Sequence, residues 1–243
     1  MIHPGFILPF RAASEPLEFP AIAAHGFLRK DTSGVGYINV PLPSGATAGN
    51  KMLYVQMRQG TTLPTAYGAG ETSLVEALPD HTDAAYEIAT RVAWIEVTSG
   101  MVSDGYITLH VGSYGSGLTV IFDRDDITFR AINGTPSNAA NWEDGPNAIS
   151  GGHATESTTA GLEGDLAINL VIMKAYGALS VGGPWTNYLA GAIPTSIGAT
   201  VNGNPAVFHQ QITTSGQDTT ATAYTTDGPD NNYTNIPIFV SVA

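Results

Sequence analysis

The stretch Gly164-Asp165-Leu166-Ala167-Ile168-Asn169-Leu170-Val171-Ile172-Met173-Lys174-Ala175-Tyr176-Gly177 constrains this chain more than any other. It is an apolar run bounded by glycines and too short for a membrane span. Its β-branched residues and flanking glycines favour a buried strand, although a buried helix segment shares the same periodicity. The turn Gly182-Gly183-Pro184-Trp185-Thr186 follows and ends on a large aromatic residue.

A similar arrangement occurs earlier. Gly49-Asn50-Lys51-Met52-Leu53-Tyr54-Val55-Gln56-Met57-Arg58-Gln59-Gly60 is again a Gly-bounded apolar run opened by a short Asx residue, and Gly49 and Gly164 are 115 positions apart. Trp94 to Gly100, ending Thr98-Ser99-Gly100, answers Gln210 to Gly216, ending Thr214-Ser215-Gly216, at a spacing of 116. Val120-Ile121-Phe122 answers Ile236-Pro237-Ile238-Phe239 at about the same spacing. Three such landmarks read as an internal duplication, with halves at about 21–132 and 133–243, or as two halves of one sandwich sharing a pattern; coincidence among Gly-bounded strands is the plain alternative.

Composition narrows the fold class. Charged residues are 12% of the 243, about half the usual share, and Gly, Thr, Ser, Asn and Ala take their place. That balance suits an all-β protein with polar, uncharged faces. Short strands recur along the chain: Phe27-Leu28, Val35 to Val40, the run after Gly49, Val92 to Val97, Gly105 to Val111, Thr119 to Phe122, Ile127 to Ile132, the run after Gly164, Ala206 to Ile212, Thr219 to Thr226, and Ile236 to Val242. Leu74 to Leu78 reads as a short helix or strand, and Ala84 to Val97 opens with helix-favouring residues before ending as a strand. Gly112 to Gly117 reads as a turn, and residues 133–163 as a long loop with one edge strand. Thr119 to Phe122 and Ile127 to Ile132, around the acidic turn Asp123-Arg124-Asp125-Asp126, form an expected hairpin. Pro237 places the last strand at an edge or restricts its pairing there. The expected fold is an all-β, jelly-roll-like β-sandwich over 21–243.

Residues 1–20 lie outside that sandwich. Prolines 4, 9, 16 and 20 forbid regular pairing, yet Ile2, Phe6, Ile7, Leu8, Phe10, Leu17 and Phe19 are large and apolar. An extended apolar arm with little of its own to bury against lies either on a neighbouring subunit or other protein, or over its own sandwich edge.

Several function classes lack their chemistry. Net charge is −12 with 9 Lys plus Arg, which argues against a nucleic-acid partner and an anionic membrane surface. No apolar run approaches 18 residues, so membrane insertion is not expected, and the N-terminus lacks a signal-peptide pattern. Without cysteine there is no disulfide and no thiolate metal site. The six histidines show no local ligand spacing for zinc. Asp123, Asp125 and Asp126, and separately Asp227 and Asp230, stand in oxygen-rich turns that suit calcium, but plain turn chemistry explains them as well. No cofactor is expected, and GxSxG, P-loop and HExxH motifs are absent. Two distant carboxylates on a sandwich, which leave no motif, keep a glycoside-active enzyme as an alternative. Trp142, in a polar Asn/Gly context, is the candidate for an exposed glycan contact, whereas Trp94 and Trp185 read as core or sheet-edge anchors.

The order of these elements resembles bacteriophage virion β-sandwich proteins of the head-decoration and tail-fibre kind. Gly164-Asp165-Leu166, Gly183-Pro184-Trp185-Thr186, Thr214-Ser215-Gly216 and Ile236 to Val242 carry the likeness, with a weaker first-half copy in Gly49-Asn50, Trp94 to Gly100 and Val120 to Phe122. The resemblance implies a non-catalytic virion protein, assembled in the host cytoplasm, homo-oligomeric, and partnered with other capsid or tail proteins. A capsid-exterior decoration role is favoured, since there are no heptads or fibrous repeats for a shaft. The alternative is a tail-fibre protein that grips host glycan.

Overall fold

The computed structural model describes residues 17–30, 36–60, 62–77, 88–131, 141–142, 153–154, 161–173, 179–181, 186–189, 204–217, 222–225 and 233–243. In chain order the strands are β1 (Ile22–Lys30), β2 (Tyr37–Pro41), β3 (Lys51–Gln59), β4 (Thr72–Ala77), β5 (Ile88–Glu96), β6 (Tyr106–His110), β7 (Gly115–Phe122), β8 (Ile127–Ala131), β9 (Asn141–Trp142), β10 (His153–Ala154), β11 (Leu166–Met173), β12 (Leu179–Val181), β13 (Thr186–Leu189), β14 (Asn204–Gln211), β15 (Thr222–Thr225) and β16 (Tyr233–Val242). One short helix, α1 (Ser99–Asp104), lies between β5 and β6. The protein is all-β, as expected.

Two large antiparallel sheets dominate. The first runs β1-β7-β3-β5-β4 and the second β13-β14-β11-β16-β8, with β9 also on β16. They share one core. Leu53, Val55, Val92, Leu118, Val120 and Phe122 from the first sheet meet Leu166, Ile168, Leu170, Val207, Ile236, Ile238 and Val240 from the second. The opposite face of the first sheet is also covered, by the small sheet β2–β6 and α1: Met52, Tyr54, Ala93, Ile95 and Ile121 pack with Ile38, Val40, Met101, Ile107, Leu109 and Val111. A middle-layer strand is therefore buried on both faces, so β3 reads as a continuous apolar run, with every residue from Met52 to Met57 buried. In β6, by contrast, Ile107 and Leu109 point inward and Tyr106 and Thr108 outward, the alternation expected of an outer layer.

The expected hairpin across the acidic turn does not form. β7 pairs with β1 and β3, whereas β8 pairs with β16 in the other sheet. Phe122 and Ile127 both enter the shared core. The turn thus carries the chain from one sheet to the other, over a gap of roughly 10 Å. Pro237 is not on an edge strand: β16 lies between β11 and β8. Its pairing on the β8 side is interrupted there, because β8 reaches Ile238 and β9 reaches Asn235, and Pro237 falls between them.

Other details differ from the sequence reading. Leu74 to Ala77 belongs to strand β4, one of the two readings expected there, whereas β5 is strand already from Ile88, the residues before it lying outside the described set. The turn expected to run to Gly117 ends earlier, since Gly115 and Gly117 already belong to β7. A Cβ at Gly117 would strike Val40 of the covering layer, and one at Gly115 the carbonyl of Met57 on the neighbouring strand, so glycine here permits close approach both between layers and within the sheet. The described residues within 133–163 include two short strands, β9 and β10, where one was expected. The helix α1 was not anticipated. Thr98 caps its N-terminus by accepting from the Met101 N–H at 3.2 Å, and Gly105, at φ 76°, closes it in the left-handed region.

Candidate functional site

The acidic turn is the junction of the molecule. Ala21 N–H donates to the Asp123 carboxylate at 2.9 Å, and Asp123 N–H donates back to the Ala21 carbonyl at 3.0 Å. Arg124 makes a two-pronged contact with Asp126 at 2.7 and 3.0 Å and a second contact with Glu18 at 2.9 Å. Asp125 accepts from the Asn50 side-chain amide at 2.7 Å, and the Ala243 N–H reaches the Asp126 carbonyl at 2.6 Å. Residues 18–21, Asn50 at the start of β3, the turn after β7 and Ala243 are thereby tied together. The hydrogen bond from Arg124 holds the Asp126 carboxyl below its usual range, and Asp126 and Glu18 in turn push the Arg124 guanidinium up.

Each carboxylate of this turn has a protein donor, and among the described residues no group of three or more His, Cys, Asp or Glu side chains converges to hold a metal ion. Asp227 and Asp230 lie outside the described residues, as do Ile2, Phe6, Ile7, Leu8 and Phe10 of the arm. Of the arm, Leu17 is 45% exposed, Phe19 is half-buried and Pro20 is buried. Residues 18–21 thus contact the body, and the Leu17 side chain beside them is exposed.

The two Gly-Asx openings build matching corners. Gly49 and Gly164 have φ of 97° and 94°, a backbone region open to glycine. Gly49 N–H donates to the Val97 carbonyl, and Gly164 N–H to the Ile212 carbonyl, both at 2.9 Å. Val97 and Ile212 return the bond to Asn50 and Asp165, both at 2.8 Å. Asn50 Oδ1 accepts from Thr47 N–H at 2.6 Å; Asp165 Oδ2 accepts from Leu162 N–H at 2.7 Å. Asp165 is buried, and its carboxylate also accepts from Ser241 Oγ at 2.6 Å and from Arg130.

A partly buried charge cluster left no sequence signal. Arg91 contacts Glu71 at 2.8 Å, Glu76 at 2.6 Å and the Pro64 carbonyl at 3.3 Å. Glu71 also accepts from the Tyr67 N–H at 2.6 Å. Gln56 donates to the Thr65 and His110 carbonyls, and the Thr65 N–H reaches His110 Nδ1 at 3.4 Å. Burial first, and then Glu71, push the Tyr54 hydroxyl far above its ordinary pKa. These contacts pin residues 62–71 over the first sheet. Glu76 and Arg91 are direct cross-strand partners in β4 and β5, a relation visible only once the register is known.

Trp142 stands in a strand rather than a loop, its backbone paired with Thr234; its side chain lies outside the described residues. Trp94 packs as an anchor, 5.8 Å from the Phe129 ring and under the Lys51 ammonium at 5.6 Å, and Trp185 lies outside the described residues. Among the described residues the exposed aromatics are Phe27 on β1 and, on the outer face of β2–β6, Tyr37, 56% exposed, and Tyr106.

No family model matches the chain, and no curated protein and no solved structure matches it.

Proposed function

We propose that this protein is a non-catalytic structural component of a bacteriophage virion, an accessory protein on the capsid exterior that bridges subunits through its N-terminal arm. One observation carries this reading: residues 18–21 are bolted to the body through Arg124 and Asp123, while Leu17 points outward. Ile2, Phe6, Ile7, Leu8 and Phe10 precede that point in sequence. Each such side chain, wholly buried on a neighbour, contributes about 1.5–3 kcal/mol before ordering costs. The arm's prolines restrict its free conformations and so reduce those costs.

Tyr37 and Tyr106 favour a second reading, a tail-fibre protein that stacks host sugars on the outer face of β2–β6. A glycoside-cleaving activity needs an acid and a base or nucleophile free to act. Among the described residues, Glu71 and Glu76 are both engaged by Arg91, and Glu18 and Asp126 by Arg124.

The test compares the mass in solution of the full-length protein with that of a chain beginning at Leu17, followed by co-sedimentation of each with particles of the virus that carries it. The expected result is that full-length protein assembles or co-sediments, and the shortened chain melts at the same temperature but does neither. Equal attachment of both chains, or attachment of neither, overturns the bridging role of the arm.

A further inference from the structure

The two large sheets are built alike, strand for strand. β3 lies between β5 and β7, as β11 lies between β14 and β16. Lys51 pairs with Glu96 and Leu166 with Gln211, so both partners are displaced by 115 positions and the register is the same. The irregularities also correspond. On β5, Ser73 faces Ala93 and Val75 faces Val92, which leaves Leu74 as the extra residue; on β14, Asn187 faces Phe208 and Leu189 faces Val207, which leaves Tyr188. A bulge is a local device with no reason to recur at one register by chance. The small sheets correspond in one pair, β2 with β6 as β10 with β15, while β12 adds a third strand on β15 in the second half. At both corners a Gly-Asx pair makes the same four backbone and side-chain bonds, and the Asx reaches residue 125 in one case and 241 in the other.

The shared core adds the decisive relation. Leu53, Val55, Val92 and Val120 of the first sheet occupy the positions of Ile168, Leu170, Val207 and Ile238 of the second, and these two sets face each other. Contact through the same patch on both partners is what a twofold, isologous interface requires. The first half needs nothing from the second to close its other core, since every member of that cluster lies between Ile38 and Ile121.

We propose that the chain is two copies of one module joined face to face about an approximate twofold axis, and that the inner face of the first large sheet is a pairing surface whose natural partner is a second copy of the same module. The surface is apolar, carries no charged side chain among its buried members, and displays the residue pattern it receives. The inference stands apart from the virion reading and survives its failure.

The experiment uses residues 17–126 alone, which carry a closed core of their own, and a tandem chain in which 17–126 is followed directly by a second 17–126. Native mass and thermal melting are measured for both, and for each with Val55→Arg. Expected are a dimer of the single module, a cooperative melt of the tandem as a monomer of double length, and a folded monomer from V55R in the single module. A single module that folds but stays monomeric at tens of micromolar overturns the proposal. So does a dimer indifferent to V55R, because another surface would then be responsible. If the single module does not fold, the tandem decides: cooperative melting upholds the proposal and an unfolded tandem overturns it.

Discussion

Replacing Asp165 separates the covalent pattern of the corners from their chemistry. The carboxylate is 2% exposed and accepts from Leu162 N–H, Ser241 Oγ and Arg130. Asp165→Ala leaves the Leu162 backbone N–H and the Ser241 hydroxyl, both in part-buried hydrogen bonds, without their acceptor. Hydrogen bonds to a charged group contribute about 1.5–3 kcal/mol each. The Arg130 contact is discounted to about 0–1 kcal/mol, since that side chain is 36% exposed. The expected loss is about 3–5 kcal/mol, a large part of the ~5–15 kcal/mol a domain possesses. Asp165→Asn is expected to cost only about 1–2 kcal/mol, because an amide oxygen still accepts from Leu162 and its NH₂ can donate to Ser241, much as Asn50 donates to Asp125. Asn50→Ala, at the more exposed corner, should cost about 1 kcal/mol. Urea unfolding followed by intrinsic fluorescence gives all three values from midpoint and slope. If Asp165→Ala costs under about 1 kcal/mol, or if Asp165→Asn is as damaging as Asp165→Ala, the account of the corner is wrong.

Two further outcomes follow from the packing. Gly26→Ala drives a Cβ against the Pro41 carbonyl and to 2.7 Å from Thr119 Oγ1, so β2 must lift from β1; about 1–3 kcal/mol should be lost, with faster amide exchange in β2 and β6 and little change in β11 and β14. Burial lowers the pKa of His25, His110 and His209, and Arg58 and Lys30 lower that of His110 further. Above about pH 6.5 these groups are neutral in both states, and below it the unfolded chain binds protons first, so stability should fall as pH drops from 7.5 to 5.5. His110→Asn, which keeps an acceptor for Thr65, should make that fall shallower; a urea midpoint that rises on acidification contradicts the reasoning.

Local residue choice was enough to place most strands. The Gly-bounded run at Gly49 became β3, the run at Gly164 became β11, and the alternation of Tyr106 to His110 became an outer-layer strand. These signals are local because a strand's two faces alternate along the chain and glycine marks its ends. The contacts of Glu18 and Ala21 with the turn after β7 were not legible, because they join positions more than a hundred residues apart. The charge cluster of Glu71, Glu76 and Arg91 left no motif, since its members meet only across a strand register and a loop.

What the sequence determined by itself was the all-β class, the positions of its strongest strands and the recurrence of a Gly-Asx opening near 115-residue spacing. Which strands pair was decided only in three dimensions. Thr119 to Phe122 and Ile127 to Ile132 satisfy every local rule for a hairpin, yet β7 and β8 belong to opposite sheets. Local preference is equally satisfied either way; burying Phe122 and Ile127 in one shared core is not, and that long-range burial selects the crossing.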